Sequence, residues 1–349
     1  MRAAYSFALR DQNRMIYDDD AAFIARLPAD LRAPVAAYFS GFALPLLDQI
    51  AVFHHLQERW PGTGRIAIQI APSNLHWLSD VALEAAARLA EETRAPMHMH
   101  LLETPYQREY ALARTGGSAL EYVDRFGLLG PQLTIGHGVW MTEDDLALLV
   151  ARGGCLCHNC SSNLRLKSGT ADLNAFLGTG LPVALGIDEA GINDDRDMLQ
   201  EMRLALTLHR PAGHDSACLT AAQVLRMATE HGAATTLFGD RIGQLVPGKA
   251  ADLVILDWKT VTWPWQDPGM SMVDVLVRRA KAGAVESVIV EGEVIYHEGQ
   301  FTRIDRAGVL ADIAMQLALP RSEVEATRYK LAEALLPYVR AFYTARETD

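Results

Sequence analysis

The sequence predicts an α/β protein built on a parallel sheet or barrel, and three observations carry that expectation. Short apolar runs alternate with helical patterns through about residue 240. The helical stretches open and close with recognisable caps. The polar residues capable of chemistry sit directly after the apolar runs, where a parallel sheet gathers its functional side chains.

The runs at 66–70, 96–101, 133–136, 154–157 and 182–186 read as buried strands of four to six residues. Ser79 is placed to cap a helix whose Val81, Ala82, Ala85 and Leu89 share one face. Thr142 and Asp145 form a capping-box pattern, and Gly153 closes that helix. Thr220 with Gln223 opens another, with Gly232 expected to end it. After residue 240 the pattern changes. Segments 243–258 and 285–296 predict short strands with glycine turns and no intervening helices, a small β unit beside the barrel. Residues 322–346 return to helix, with Leu331, Leu335 and Val339 on one stripe.

Composition bounds the function. The 349 residues are 50% hydrophobic and 21% charged, enough for a sizeable core. A net charge of −11 argues against nucleic acid or an anionic membrane as the main partner. No apolar run reaches the roughly 18 residues of a membrane span, and the opening stretch is too short in apolar residues to predict a signal peptide. Four cysteines do not make a disulfide scaffold, so a reducing cytoplasm is expected.

Three strand ends collect the reactive side chains. In His98-Met99-His100-Leu101-Leu102-Glu103 the strand period points both imidazoles to one side, and Glu103 follows as the strand leaves the sheet. His137 stands between Gly136 and Gly138, which leave room around its ring. Asp188 ends the run Gly186-Ile187-Asp188. Any one of these alone reads as a capping or hydrogen-bonding group. At successive strand ends of a barrel they converge on one mouth, where imidazoles and carboxylates hold a divalent ion and move protons.

On these residues the chain resembles the metal-dependent amidohydrolase superfamily, in its branch of S-adenosylhomocysteine/methylthioadenosine deaminases, guanine deaminase-like enzymes and triazine chlorohydrolases. HMHLLET is similar to the family's fifth-strand His-x-x-Glu element, TIGHG to the sixth-strand His, and LGIDEAGINDDRDMLQEM to the eighth-strand Asp segment. HNCSSNLRLKSG resembles the loop after the seventh strand, with Cys160 where the family commonly has proline. The resemblance covers roughly residues 1–300. It implies a (β/α)8 TIM-like barrel with a composite β domain, and one mononuclear Zn²⁺ or Fe²⁺ site. Carried over, His100 is a metal ligand and Asp188 a ligand that also orients the attacking water. Glu103 is the proton shuttle, and His137 polarises the substrate or steadies hydroxide. Asn163, Arg165 and Lys167 are candidates for lining a substrate pocket, a solvated loop being the other reading. The implied reaction is metal-assisted hydrolysis, deamination of an amino-substituted N-heterocycle such as a purine, pterin or triazine. A small heterocyclic substrate and a homo-oligomer are the implied partners.

One departure matters. The family's first strand carries a His-x-His pair, yet the single His-x-His here is 98/100, whose context fits strand five. His54 and His55 lie in a segment that reads as helix, and His76 is the remaining upstream candidate. MRAAYSF is similar to the third strand. The chain is therefore expected to lack the first two barrel strands and part of the β domain, and to expose unpaired sheet edges. The expected division is 1–240 barrel, 241–304 β domain and 305–349 helical segment. A catalytically weak or inactive chain is the alternative reading. A competing site is the pattern Cys155, Cys157 and Cys160 with His158 among them, against which the strand period argues that Cys155 and Cys157 are buried free thiols. Asp194, Asp195 and Asp197 are expected to cap the next helix or pair with Arg196 and Arg203, and Trp258, Trp263 and Trp265 to pack the β unit.

Overall fold

A computed structural model describes residues 1–41, 44–192, 195–214 and 218–346. Six strands, β1 (Ala3–Leu9), β2 (Ile66–Pro72), β3 (Met97–Leu101), β4 (Leu133–His137), β5 (Cys155–His158) and β6 (Val183–Leu185), form one parallel sheet in sequence order. Helices connect them, as parallel crossovers require. One face of each strand packs against these helices: Ile68 and Ile70 of β2, Met97, Met99 and Leu101 of β3, and Leu133 and Ile135 of β4 belong to one core with Leu83, Leu89, Leu120 and Leu149 of the helices. The helix after β2, Asp80–Thr93, starts at the predicted cap, Ser79. Its buried face is Ala82, Leu83, Ala85, Ala86, Leu89 and Ala90, while Val81 is exposed, a correction to the expected stripe. Thr142 with Asp145 forms the capping box, and Gly153 ends that helix with φ +70°. Gly232 does not end its helix. It is right-handed (φ −60°), and helical turns run on to Ala234.

The sheet's two edges differ. At β1 the outer residues Tyr5 and Phe7 are exposed. At β6 the segment after Met227 closes in, with the His231 imidazole bonded to the Val183 carbonyl at 2.9 Å. The expected bare edge is therefore covered on that side.

A second, antiparallel sheet runs β10 (Gln300–Phe301), β9 (Glu293–His297), β8 (Val285–Val290) and β7 (Leu253–Leu256). Two helices, Trp258–Thr262 and Met272–Arg279, separate β7 from β8, contrary to the helix-free expectation. Their Val261 and Val275 bury against Ala280 and Ala284. Trp258 packs beside this cluster, but Trp263 and Trp265 are exposed and do not pack the β unit. Charge ties the sheets together. Arg2 before β1 reaches Asp252 at 2.8 Å and Glu291 at 3.0 Å, and Arg65 reaches Glu291 at 2.8 Å and Glu293 at 3.1 Å. The C-terminal helix Glu323–Thr344 folds back on the chain's start, its Leu335 buried with Ile16, Phe23, Leu27, Val35 and Phe39.

Candidate metal centre

The C-terminal ends of β3, β4 and β6 bring His100, Glu103, His137 and Asp188 together. Alternation along β3 sends Met97, Met99 and Leu101 into the helix-packed core and both histidines to the opposite face. His98 is held there by the Thr235 carbonyl at 2.8 Å. His100 lies farther toward the mouth, its Nδ1 3.0 Å from His137 Nε2, with ring centroids 5.2 Å apart.

Strict alternation would place His137 with Ile135, on the core side of β4. The chain instead leaves extended geometry there, with φ +74° at His137, and the ring stacks on His100. Leu102 (φ +54°) and Asp188 (φ +61°) are left-handed as well. Such backbone costs of order 1–3 kcal/mol per residue and gathers where surrounding structure enforces a functional geometry. Gly138 also has positive φ (+57°), and a Cβ there would stand 2.6 Å from Leu156 Cδ1.

Each group has a fixed support. His137 Nδ1 donates to Asn163 Oδ1 at 2.8 Å, which leaves Nε2 facing the mouth. His137 Nε2 stands 4.0 Å from Glu103 Oε2 and 4.0 Å from Asp188 Oδ2. Ser162 Oγ donates to Asp188 Oδ2 at 2.5 Å. Glu103 accepts from Ser168 Oγ at 3.2 Å and from Gln107 Nε2 at 3.3 Å. His100 keeps an exposed edge, while burial of the rest of its ring, and next the neighbouring His137, lower its pKa and favour the neutral, ligating imidazole.

His100, His137 and Asp188 offer two imidazole nitrogens and a carboxylate oxygen within 4.8 Å of one another. That donor set suits Zn²⁺ or Fe²⁺. The group includes His137, to which the resemblance assigns polarising the substrate or steadying hydroxide. Of the other candidates, Asn163 is buried behind His137 and bonded to it, whereas Arg165 is exposed at the end of helix Cys160–Arg165 with Lys167 just beyond. His54 and His55 lie on helix Leu46–Arg59. His76 is buried among Tyr17, Trp77 and Tyr110, and burial pushes its pKa down to about 2. Asp197 caps helix Met198–Leu208 through Leu199 N. Arg203 donates to the Ala280 carbonyl at 2.8 Å. Asp194 lies outside the described residues.

The three-cysteine cluster does not assemble. Cys155 and Cys157 share one face of β5, Cys155 donating to the Pro182 carbonyl at 3.2 Å. Burial raises their thiols to about 11 and about 12. His158 and Cys160 belong to a different group. His158 Nε2 meets His209 Nε2 at 2.8 Å, and Cys160 Sγ completes a buried trio within 4.8 Å. Burial, and next the facing His209, lower the His158 pKa to about 3. Sequence reasoning missed His209, which is 51 residues away at the end of a helix and carries no local signal. It also missed the supports Ser162, Ser168 and Gln107. A faint signal existed for Ser162, two residues after Cys160 and next to the candidate Asn163 in the loop that resembles the family's.

The amidohydrolase family profile matches residues 33–295. The chain belongs to the amidohydrolase family. A 5-methylthioadenosine/S-adenosylhomocysteine deaminase of Nitratidesulfovibrio vulgaris (strain Miyazaki F) is 33% identical over 305 residues, 86% of this chain and 68% of that protein. A relative of the same name in Desulfovibrio desulfuricans is 37% identical over 250 residues, 72% of this chain and 56% of that protein. An adenosine deaminase from Xanthomonas campestris, solved with bound zinc, superposes with a TM-score of 0.74 at 26% identity, over 93% of this chain and 71% of that one. An atrazine chlorohydrolase from Arthrobacter aurescens shares the fold, with a TM-score of 0.72 at 22% identity over 78% of this chain and 60% of that one. The amidohydrolase chain thus spans between 56% and 68% of these curated relatives' lengths. The expected barrel-type α/β fold stands, with a parallel sheet of six strands among the described residues. No helix among them is long and apolar enough to cross a membrane.

Proposed function

We propose that the chain carries out metal-assisted hydrolysis of a C–N bond, deaminating an amino-substituted N-heterocycle of the adenosine type. The observation that carries this reading is the meeting of His100, Glu103, His137 and Asp188 at three strand ends, with left-handed backbone at two of the four. Relatives named as deaminases of adenosine derivatives support the purine class over pterins and triazines.

His100, Asp188 and His137 would hold the ion, zinc being favoured by the zinc-bound structural relatives. When bound, it supplies Lewis-acid activation that makes water nucleophilic near neutral pH. Glu103, anchored by Ser168 and Gln107, takes the proton that water loses on attacking the amino-bearing carbon. It returns that proton to the leaving nitrogen, so amine and water become carbonyl and ammonia. Asp188, fixed by Ser162, would orient the attacking water as well as hold the ion. His137, its Nδ1 proton committed to Asn163, presents Nε2 to the ion or to the substrate's developing charge. Arg165 stands at the rim as a substrate contact. We take the chain as organised into barrel, β domain and helical segment at 1–240, 241–304 and 305–349, working on a small molecule in the cytoplasm as a homo-oligomer.

The test is ammonia release by the zinc-loaded chain from a panel of 5′-substituted adenosines, adenine, guanine, pterins and triazines. Turnover of an adenosine derivative above the others supports the reading. Zinc bound at the mouth with no turnover of any panel member favours the weak or inactive alternative.

A further inference from the structure

The helix-packed side of β5 holds the second group of potential ligands. Alternation along β5 sends Cys155 and Cys157 to the face that carries His98 and His100, and Leu156 and His158 to the helix side. His158 there meets His209, the residue that ends helix Met198–Leu208, and Cys160, the first residue of helix Cys160–Arg165. All three are buried, Cys160 completely.

We infer that this trio is a second metal site, in which His158, Cys160 and His209 bind a borderline-soft divalent ion such as zinc, independently of the ion at the barrel mouth. The donor chemistry is the first argument. Two imidazoles and a thiol are a zinc-type ligand set, and their donor atoms lie within 4.8 Å of one another. The second argument is charge. Glu201 is fully buried, and its Oε1 accepts from the Ser161 amide at 2.9 Å. Among the described residues its Oε2 has no hydrogen-bond partner. A half-satisfied buried carboxylate is costly, and native proteins rarely keep one without a reason. A dication on a deprotonated Cys160 beside an ionised Glu201 sums to zero charge. On binding, the thiol gives up its proton to solvent, the Cys160 S–H bond breaking as the sulfur–metal bond forms.

The third argument is position. Cys160 opens the helix that carries Ser162 and Asn163, which hold Asp188 and His137 at the mouth. An ion bridging Cys160 and His158 to His209 would pin that helix to β5 and to helix Met198–Leu208. The second site is thus structural, acting on the first through its supports.

Cobalt reports on the thiolate directly. The full chain is produced in cobalt-supplemented medium, purified without chelator, and read by near-ultraviolet absorption and metal analysis. The expected result is a thiolate-to-cobalt charge-transfer band, retained in His100→Ala, Cys155→Ala and Cys157→Ala and lost in Cys160→Ala, with one ion fewer per chain in the last. His209→Asn, which keeps the polar helix end, should lose the band as well, and it serves if Cys160→Ala does not fold. Absence of the band in the parent chain overturns the inference, with the trio then a hydrogen-bonded core. So does a band that survives Cys160→Ala or disappears with His100→Ala.

Discussion

Two pairs of histidines meet nitrogen to nitrogen in this chain, and their surroundings separate chemistry from architecture. His100 and His137 lie 3.0 Å apart at the mouth, with one edge exposed and two carboxylates 4.0 Å from His137. His158 and His209 lie 2.8 Å apart between sheet and helices, buried, with the Cys160 thiol completing the group and the Glu201 carboxylate near that thiol. Reactant access and two carboxylates beside the rings suit the first pair to the hydrolysis proposed. Enclosure and a zero charge sum make the second fit only to hold an ion. The contrast follows from β-strand alternation, because His100 and His158 occupy opposite faces of one sheet.

The largest effect that sharpens this contrast is removal of the proton carrier. Glu103→Gln keeps the side chain's shape, its amide oxygen accepting from Gln107 and its amide N–H donating to Ser168 Oγ, but cannot take up the water's proton. We expect turnover to fall by about 10²–10⁴-fold, with the metal content at both sites unchanged. Steady-state kinetics beside metal analysis checks this. Loss of metal from the mouth in this variant would make Glu103 a ligand instead.

Next comes the support behind His137. Asn163→Ala removes the acceptor at 2.8 Å that commits the Nδ1 proton, freeing the ring to flip or change tautomer. Loss of such a partner costs about 10–100-fold in activity or metal affinity. The loss should appear in kcat and in zinc retention at the mouth, while the cobalt–thiolate band stays. A band that weakens in parallel would show that the two sites are one coupled unit.

What the sequence revealed divides along the same line. The mouth was legible because a strand of period two, followed by Glu103, sets His98 and His100 on one side, and because His137 and Asp188 stand at the ends of two further strands. The parallel sheet was legible from capped helices between apolar runs. The helix-side group was not, since His158 and Cys160 find their third member 51 residues on, at a helix end that only tertiary packing brings near. His137's own position also escaped the strand rule, because its left-handed φ of +74° turns the ring off the face that alternation assigns. The helices between β7 and β8 were missed where the Trp-Pro-Trp and Asp-Pro-Gly stretches at 263–269 separate two short helical runs.

The smallest effect comes from a control remote from both pairs. Arg2 holds Asp252 at 2.8 Å and Glu291 at 3.0 Å and, with Arg65, ties the antiparallel sheet to β1 and β2. The bond from Arg2, above all, holds the Asp252 carboxyl below its ordinary pKa. A depressed folded-state pKa stabilises the fold fully above the unfolded value, about 3.9, and the contribution fades as pH falls through the folded value. Arg2→Ala should therefore cost about 1 kcal/mol at neutral pH, and its deficit relative to the parent should shrink in acid. Chemical denaturation at neutral pH and in acid measures both numbers. Neither the cobalt–thiolate band nor zinc at the mouth should change, because both pairs of histidines take their geometry from the parallel sheet and its helices. If Arg2→Ala drained the mouth and spared the helix-side trio, the small sheet would be holding the open site in shape, and the enclosed one alone would owe its geometry to the barrel.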